Sequence, residues 1–171
     1  MEKIIVGLGN PDEKHITTRH NSGFLILDNI AKTMDLHFVY KKRLLSEIAD
    51  NKKFLLVKPQ TFMNNSGLAI AKILSFYKVD KEDLIVIHDD ADLSFGEYKI
   101  QYQSGSAGHH GVESIIQNLG SRDFWRVRVG IGRRTAGVYD IENWVLTDFL
   151  PEELEIIKNL SYKIKEELKI N

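Results

Sequence analysis

The chain has 171 residues and not one cysteine. That absence excludes disulfide frameworks, thiolate-bound zinc, iron–sulfur clusters and cysteine nucleophiles, and it fits a reducing, cytoplasmic setting. Proline is scarce, with three residues, and no low-complexity stretch or repeat of solenoid period interrupts the chain. No apolar run approaches the roughly 18 residues of a membrane helix. The opening run Ile4-Ile5-Val6 is too short for a secretory signal. An excess of one charge is missing too: 23 Lys+Arg face 24 Asp+Glu, a net charge of -1 with neutral histidines. This excludes a chain that is basic throughout, but not a local basic patch. With 43% hydrophobic and 27% charged residues, the composition describes one compact soluble domain over 1–171, without a linker and with a core that needs no staples.

What is present is an alternation of strand and helix signals. Lys3 to Leu8 is a short apolar run that stops at Gly9-Asn10-Pro11, as a buried strand does. Phe24, Leu27, Ile30, Ala31 and Met34 recur at helical spacing, with Asn21 or Ser22 placed to cap the helix. Leu44 to Ala49 and Phe54 to Val57 read as two strands joined by the polar turn 50–53. A helix follows from Ser66, burying Leu68, Ile70, Ala71, Ile73, Leu74 and Tyr77. Leu84 to Ile87 is a buried strand that runs into Asp89-Asp90-Ala91-Asp92. Tyr98 to Tyr102 is a strand, Gly111 to Leu119 a helix, and Arg126 to Ile131 an alternating, half-exposed strand. Pro151-Glu152-Glu153 opens the last helix. The economical fold is an α/β sandwich built on a mixed sheet.

Chemistry-bearing residues gather where strands end. Ligand sites of open α/β sheets lie beyond the carboxyl ends of the strands, so Asn10, His20 and Asp89 are candidates for convergence there. A carboxylate that orients an imidazole makes a base, and without cysteine or a serine elbow the nucleophile for it is water. The plain alternative is a histidine that makes only structural hydrogen bonds. Gly7-Leu8-Gly9-Asn10-Pro11-Asp12 begins like a dinucleotide fingerprint, but Asp12 stands at the third glycine and Pro11 interrupts the turn. His109 and His110 are neighbours whose side chains diverge, which argues against a metal site there. Asp89, Asp90 and Asp92 could hold magnesium, although a strand-end loop with one functional carboxylate is preferred. Basic residues cluster at Lys41-Lys42-Arg43 and at Arg126, Arg128, Arg133 and Arg134, and the glycine-rich loop Ser104 to Gly108 is a ready anion site. Together these suggest a phosphate-bearing partner; for Lys41 to Arg43 alone a solvated face is the better reading.

Longer motifs carry a family resemblance. Gly7-Leu8-Gly9-Asn10-Pro11 with Thr18-Arg19-His20-Asn21-Ser22-Gly23, and then Lys58-Pro59-Gln60-Thr61-Phe62-Met63-Asn64-Asn65-Ser66-Gly67, resemble two signatures of bacterial-type peptidyl-tRNA hydrolases. His88-Asp89-Asp90-Ala91-Asp92-Leu93, Gly105 to Gly111, Phe124 to Gly132 and Val145-Leu146 follow in that family's order. The resemblance implies an α/β sandwich around a central mixed, mostly parallel twisted sheet flanked by helices, usually monomeric and without metal or cofactor. It implies hydrolysis of the ester that joins a stalled peptide to the 3'-terminal ribose of tRNA. His20 is then the base that activates water and Asp89 its orienting carboxylate. Asn10 and Asn64 hold the peptide end and stabilise the oxyanion, with Phe62 and Met63 as an apolar wall.

Three departures stand out. His110 occupies the position of the family's substrate-binding asparagine, where a neutral imidazole can still donate one hydrogen bond and accept another. His15 replaces a tyrosine near Asn10 and Asp12 a glycine, which changes the pocket rim. The basic pair that clamps the tRNA 5'-phosphate retains Arg128, but Gln101 stands where the lysine is expected, and Lys99 on the same strand face is its candidate substitute. The competing functions are a non-catalytic RNA-binding relative and a general esterase without RNA.

Overall fold

The computed structural model describes residues 3–133 and 140–171. Seven strands form one sheet in the order β2-β3-β4-β1-β5-β7-β6. They are β1 (Lys3–Gly7), β2 (Val39–Lys41), β3 (Ser46–Asp50), β4 (Phe54–Pro59), β5 (Leu84–Asp90), β6 (Tyr98–Tyr102) and β7 (Trp125–Gly130). The central strands β4, β1, β5 and β7 run parallel; β2, β3 and β6 add antiparallel edges. Helices α1 (Ser22–Thr33) and α5 (Pro151–Glu167) cover one face, and α2 (Ser66–Tyr77) and α3 (His110–Leu119) the other. A short helix, α4 (Ile141–Val145), packs by the turn Arg19–Asn21.

The two cores follow from strand alternation. Side chains at i and i+2 share a face, so Ile85 and Ile87 join the core under α1 and α5, while Leu84 and Val86 join the one under α2 and α3. A strand covered on both faces needs an unbroken apolar run, and all of β5 is buried, including His88, Asp89 and Asp90 at its end.

Three expectations need correction. Arg126 to Ile131 is not half-exposed: Arg126 is only 1% exposed. The loop above covers it, and its Nη1 donates to the Gly105 carbonyl at 2.5 Å. On α2 the phase of the helix leaves Leu68 exposed and buries Ala69 in its place. Leu44 lies in a tight turn, and Leu45 takes a left-handed conformation (φ 51°) before β3 begins at Ser46. Of the basic residues, Arg134 lies outside the described residues.

The start of α1 crosses β1 and β5 backbone to backbone. A Cβ on Gly23 would lie 2.3 Å from the Ile87 carbonyl oxygen and 2.4 Å from the Leu8 nitrogen, both main-chain atoms that cannot rotate away. This contact sets the turn carrying His20 directly over the end of β5. Gly23→Ala is expected to destabilise the protein by about 3 kcal/mol through overpacking, lowering the melting temperature by roughly 6–12 °C; thermal unfolding followed by circular dichroism checks it.

Candidate active site

At the carboxyl ends of β1 and β5 the chain places its polar groups within one buried cluster. His20, 8% exposed, comes from the turn Arg19–Asn21. Its Nδ1 lies 2.9 Å from both carboxylate oxygens of Asp89. Nδ1–H therefore donates to the carboxylate and Nε2 keeps its lone pair, as a base requires. Burial pulls the His20 pKa down, but the charge of Asp89 and its hydrogen bond outweigh this and hold it above 6.5. Burial would likewise raise Asp89; the imidazoles of His20 and His109 overcome it and keep the carboxyl well below the usual range.

His109 was not expected here. It precedes α3 as its N-cap, and its Nδ1 accepts from the Val112 amide at 3.3 Å. Its proton is thus on Nε2, which donates to Asp89 Oδ1 at 2.8 Å. The divergence of His109 and His110 is real: one faces Asp89, the other is exposed at the first residue of α3. What the spacing concealed is that Asp89 waits on one of those two sides. His88 adds a third ring, 4.8 Å from that of His109, which itself lies 4.9 Å from His20. His88 Nδ1–H donates to the Asp89 carbonyl at 2.8 Å, and Nε2 is buried without a partner among the described residues. Burial, followed by the facing His109, drives the His88 pKa well below 6.5, so this imidazole stays neutral.

Ligand atoms of His20, Asp89 and His109 lie within 4.8 Å of one another, close enough for a divalent ion. The bonding opposes that use. Val112 N–H fixes the His109 proton on the very nitrogen that would ligate, and the His20 nitrogen facing Asp89 is a donor as well. The cluster fits a hydrogen-bonded base better than a metal centre.

The amide side of the site is fixed by main-chain groups. Asn10 Oδ1 accepts from the Met63 amide at 2.9 Å, which leaves its NH2 to the cavity that Asn10 lines. Asn21 does not cap α1 through its side chain. It bridges the backbone of Asn10 instead, accepting from Asn10 N at 2.9 Å and donating to Asn10 O at 3.0 Å. Met63 is buried, whereas Phe62 and Asn64 are exposed on either side of it. His15 pairs with Asp12.

Two cavities meet at this cluster. One, of about 440 Å³, is lined by Asn10, His15, Phe62, Met63, Asn64 and Leu146. The other, of about 300 Å³, is lined by Asp89, the loop Ser106 to His109, Arg133 and Ile141. His20, His110, Glu142 and Val145 line both and form the wall between them. Glu142 and Val145 belong to α4; Val145 lies in the motif Val145-Leu146, whereas Glu142 stands in none. Arg19 ties that helix down: its guanidinium lies 4.1 Å from the Trp144 ring and 3.0 Å from Glu153.

Lys99 and Arg128 line neither cavity. They stand opposite each other in register on β6 and β7, with Lys99 exposed. Arg128 is occupied, its Nε donating to Asp90 at 2.6 Å and its Nη1 to Gln101 at 2.9 Å. Arg133 pairs with Asp92 at 2.5 Å. Burial, then Arg128, lowers Arg126 to about 10, and it is absorbed beneath the loop. Among the described residues of the expected arginine cluster, Arg126 is buried and Arg128 and Arg133 are paired with carboxylates. Lys41 to Arg43 lie on β2 and the turn after it, at the opposite edge of the sheet.

Comparison with known proteins gives one answer. The family model described as peptidyl-tRNA hydrolase matches residues 4–171. The peptidyl-tRNA hydrolase of Geotalea daltonii is 47% identical over 92% of this chain and 83% of its own. That of Mycoplasma capricolum is 43% identical over 91% and 85%. The crystal structure of peptidyl-tRNA hydrolase from Acinetobacter baumannii superposes with a TM-score of 0.89 at 25% identity, covering 98% of this chain and 87% of that one. Sequence and architecture agree, and the chain belongs to the peptidyl-tRNA hydrolase family.

Proposed function

We propose that the protein hydrolyses peptidyl-tRNA with His20 as the base, cleaving the ester between a peptide and the 3'-terminal ribose and so recycling tRNA for translation. The observation that carries this reading is the His20–Asp89 pair, with Nε2 unengaged by Asp89 on the wall between two cavities. A two-part substrate needs its scissile bond at such a wall, with one part on each side. Phe62, Leu146 and the amides of Asn10 and Asn64 suit the peptide. The loop Ser106 to Gly108 and Arg133 suit the terminal nucleotide.

A water at Nε2 transfers a proton to His20 as its oxygen forms a bond to the ester carbonyl carbon. The carbonyl oxygen takes the negative charge, and the NH2 groups of Asn10 and Asn64 stabilise it without titrating. Asp89 stabilises the imidazolium. Collapse breaks the acyl–oxygen bond, and the imidazolium returns its proton to the departing ribose oxygen. One water is consumed, and the products are a peptide acid and tRNA with a ribose hydroxyl. Met63 and Phe62 shape the apolar wall, and His15 the rim. Lys99 with Arg128 contacts the tRNA 5'-phosphate. The protein acts as a single domain, a monomer and in the cytoplasm; no described helix is long and apolar enough to cross a membrane. The intact dyad weighs against a non-catalytic relative.

His20→Ala is expected to lower kcat on peptidyl-tRNA by about 10²- to 10⁴-fold with tRNA affinity nearly unchanged. The wild-type kcat/KM should fall on the acid side through a pKa above 6.5, since the base must be neutral. Unimpaired turnover by the variant would overturn the mechanism. Lys99→Ala should raise KM, leave kcat in place and reduce the slope of log affinity against log salt by about 1, read by titrating tRNA at several salt concentrations. His110→Asn should retain or raise activity near neutral pH. A loss beyond about tenfold, roughly 1.4 kcal/mol, would count against an asparagine-like part for His110.

A further inference from the structure

We propose that His109 is a positioning residue for this reaction: it fixes the Asp89 carboxylate from the side opposite His20 and limits how basic His20 becomes. The inference rests on the reading of His20 as the base. Its geometry is set by the start of α3. The Val112 amide donates to His109 Nδ1, so Nε2 carries the proton and can only donate. It does so to Asp89 Oδ1 at 2.8 Å, the same oxygen that stands 2.9 Å from His20 Nδ1. A carboxylate held by two donors on separate elements, β5 carrying it and the start of α3 and the turn Arg19–Asn21 gripping it, has no rotation left to lose when the imidazolium forms. The His109 ring is wedged between those of His20 and His88 at 4.9 and 4.8 Å, which holds its own plane.

The second donor has an electrostatic consequence. A hydrogen bond to a carboxylate draws on its charge, so Asp89 supports the His20 imidazolium less strongly with His109 in place. Without that bond Asp89 acts on His20 alone, the imidazole stays protonated to higher pH, and less of it is available as a base near neutrality. Other ionisable groups face the cluster. From β5 there are His88, held neutral by burial, and Asp90, paired with Arg128. Beyond β5 and β7 there are Asp92 and Arg133, paired with each other. His110 of α3 and Glu142 of α4 complete the wall, and His15 pairs with Asp12 on the far side. Of these only His88 packs against His109; burial, the larger cause, keeps it neutral, and any substitution that removes the 109 ring changes its surroundings alike, so a difference between two such variants reports the bond to Asp89.

Two substitutions separate positioning from helix capping. In His109→Asn the side-chain oxygen overlays Nδ1 and still caps Val112, but the side chain is too short to reach Asp89. In His109→Gln the amide NH2 overlays Nε2 and still donates to Asp89, while the cap is lost. The Asn variant should lose about tenfold in kcat/KM at neutral pH, with its acidic limb moved to higher pH by about half a unit or more. Its melting temperature should stay near that of the wild type. The Gln variant should keep the wild-type limb even if it melts lower. The His20 imidazole, titrated by NMR in the same proteins without substrate, should shift in the Asn variant alone. An unshifted His20 in the Asn variant, or activities that follow melting temperature in both, would overturn the proposal. Wild-type protein that fails to cleave peptidyl-tRNA would overturn the functional reading instead, and the NMR titration would still decide for or against His109.

Discussion

A buried negative charge at Asp89 is the constraint around which the site is organised. An ionised carboxylate in a protein interior is costly unless it is paired and hydrogen-bonded. Here two imidazole N–H groups meet it, and the carbonyl of the same residue is taken by His88. The scaffold must therefore bring three pieces of chain to one strand end. β5 supplies the carboxylate because it is central and covered on both faces. The turn with His20 reaches it because Gly7 and Gly23 let α1 lie against the backbone of β1 and β5 without intervening side chains. The start of α3 reaches it from the opposite face of the sheet. Removing any one of these leaves a charge without its counterpart.

Much of this was legible in the chain itself, where local pattern and tertiary demand agree. The strand Tyr98–Tyr102 and the helix opened by Pro151 lie where their residues predict. The convergence of Asn10, His20 and Asp89 followed from one rule about strand ends. What was not legible depended on which surface something else covers. Arg126 alternates with valines as a half-exposed strand residue does, but the loop through Gly105 closes over it, a non-local event. Leu68 and Ala69 are adjacent on a helix that is apolar nearly all round, so composition could not set its phase. His109 was passed over because adjacent side chains diverge, a correct statement that omits where Asp89 stands. Glu142 carries no signature and reaches the site through the anchoring of α4 by Arg19, beside Val145 of the Val145-Leu146 motif.

Charge offers the same lesson at the scale of the surface. The near-zero net charge leaves room for a basic patch, and the spacing of Arg126 and Arg128 puts both on one strand face. The structure uses that face differently: one arginine is absorbed beneath a loop and the other neutralised by Asp90. Gln101 accepts from Arg128, so the position where a second cation is expected has become a partner that orients the first. An exposed cation at this edge is Lys99, the strand neighbour directly opposite Arg128. Any anion approaching Arg128 must compete with Asp90, which already accepts from its Nε.

Orientation and charge are assigned to different parts of the molecule. The groups that orient the side chains of Asn10, His109 and His88 are main-chain groups, which do not titrate. Met63 N–H turns the Asn10 amide, Val112 N–H sets the His109 tautomer, and the Asp89 carbonyl sets that of His88. On the proposed reading charge passes only between His20 and Asp89, across one short contact. A change in pH can thus alter the protonation of His20 without turning the donors around it. That separation follows from strand ends and helix starts, where backbone N–H and C=O groups lack partners of their own and are available to hold side chains in place.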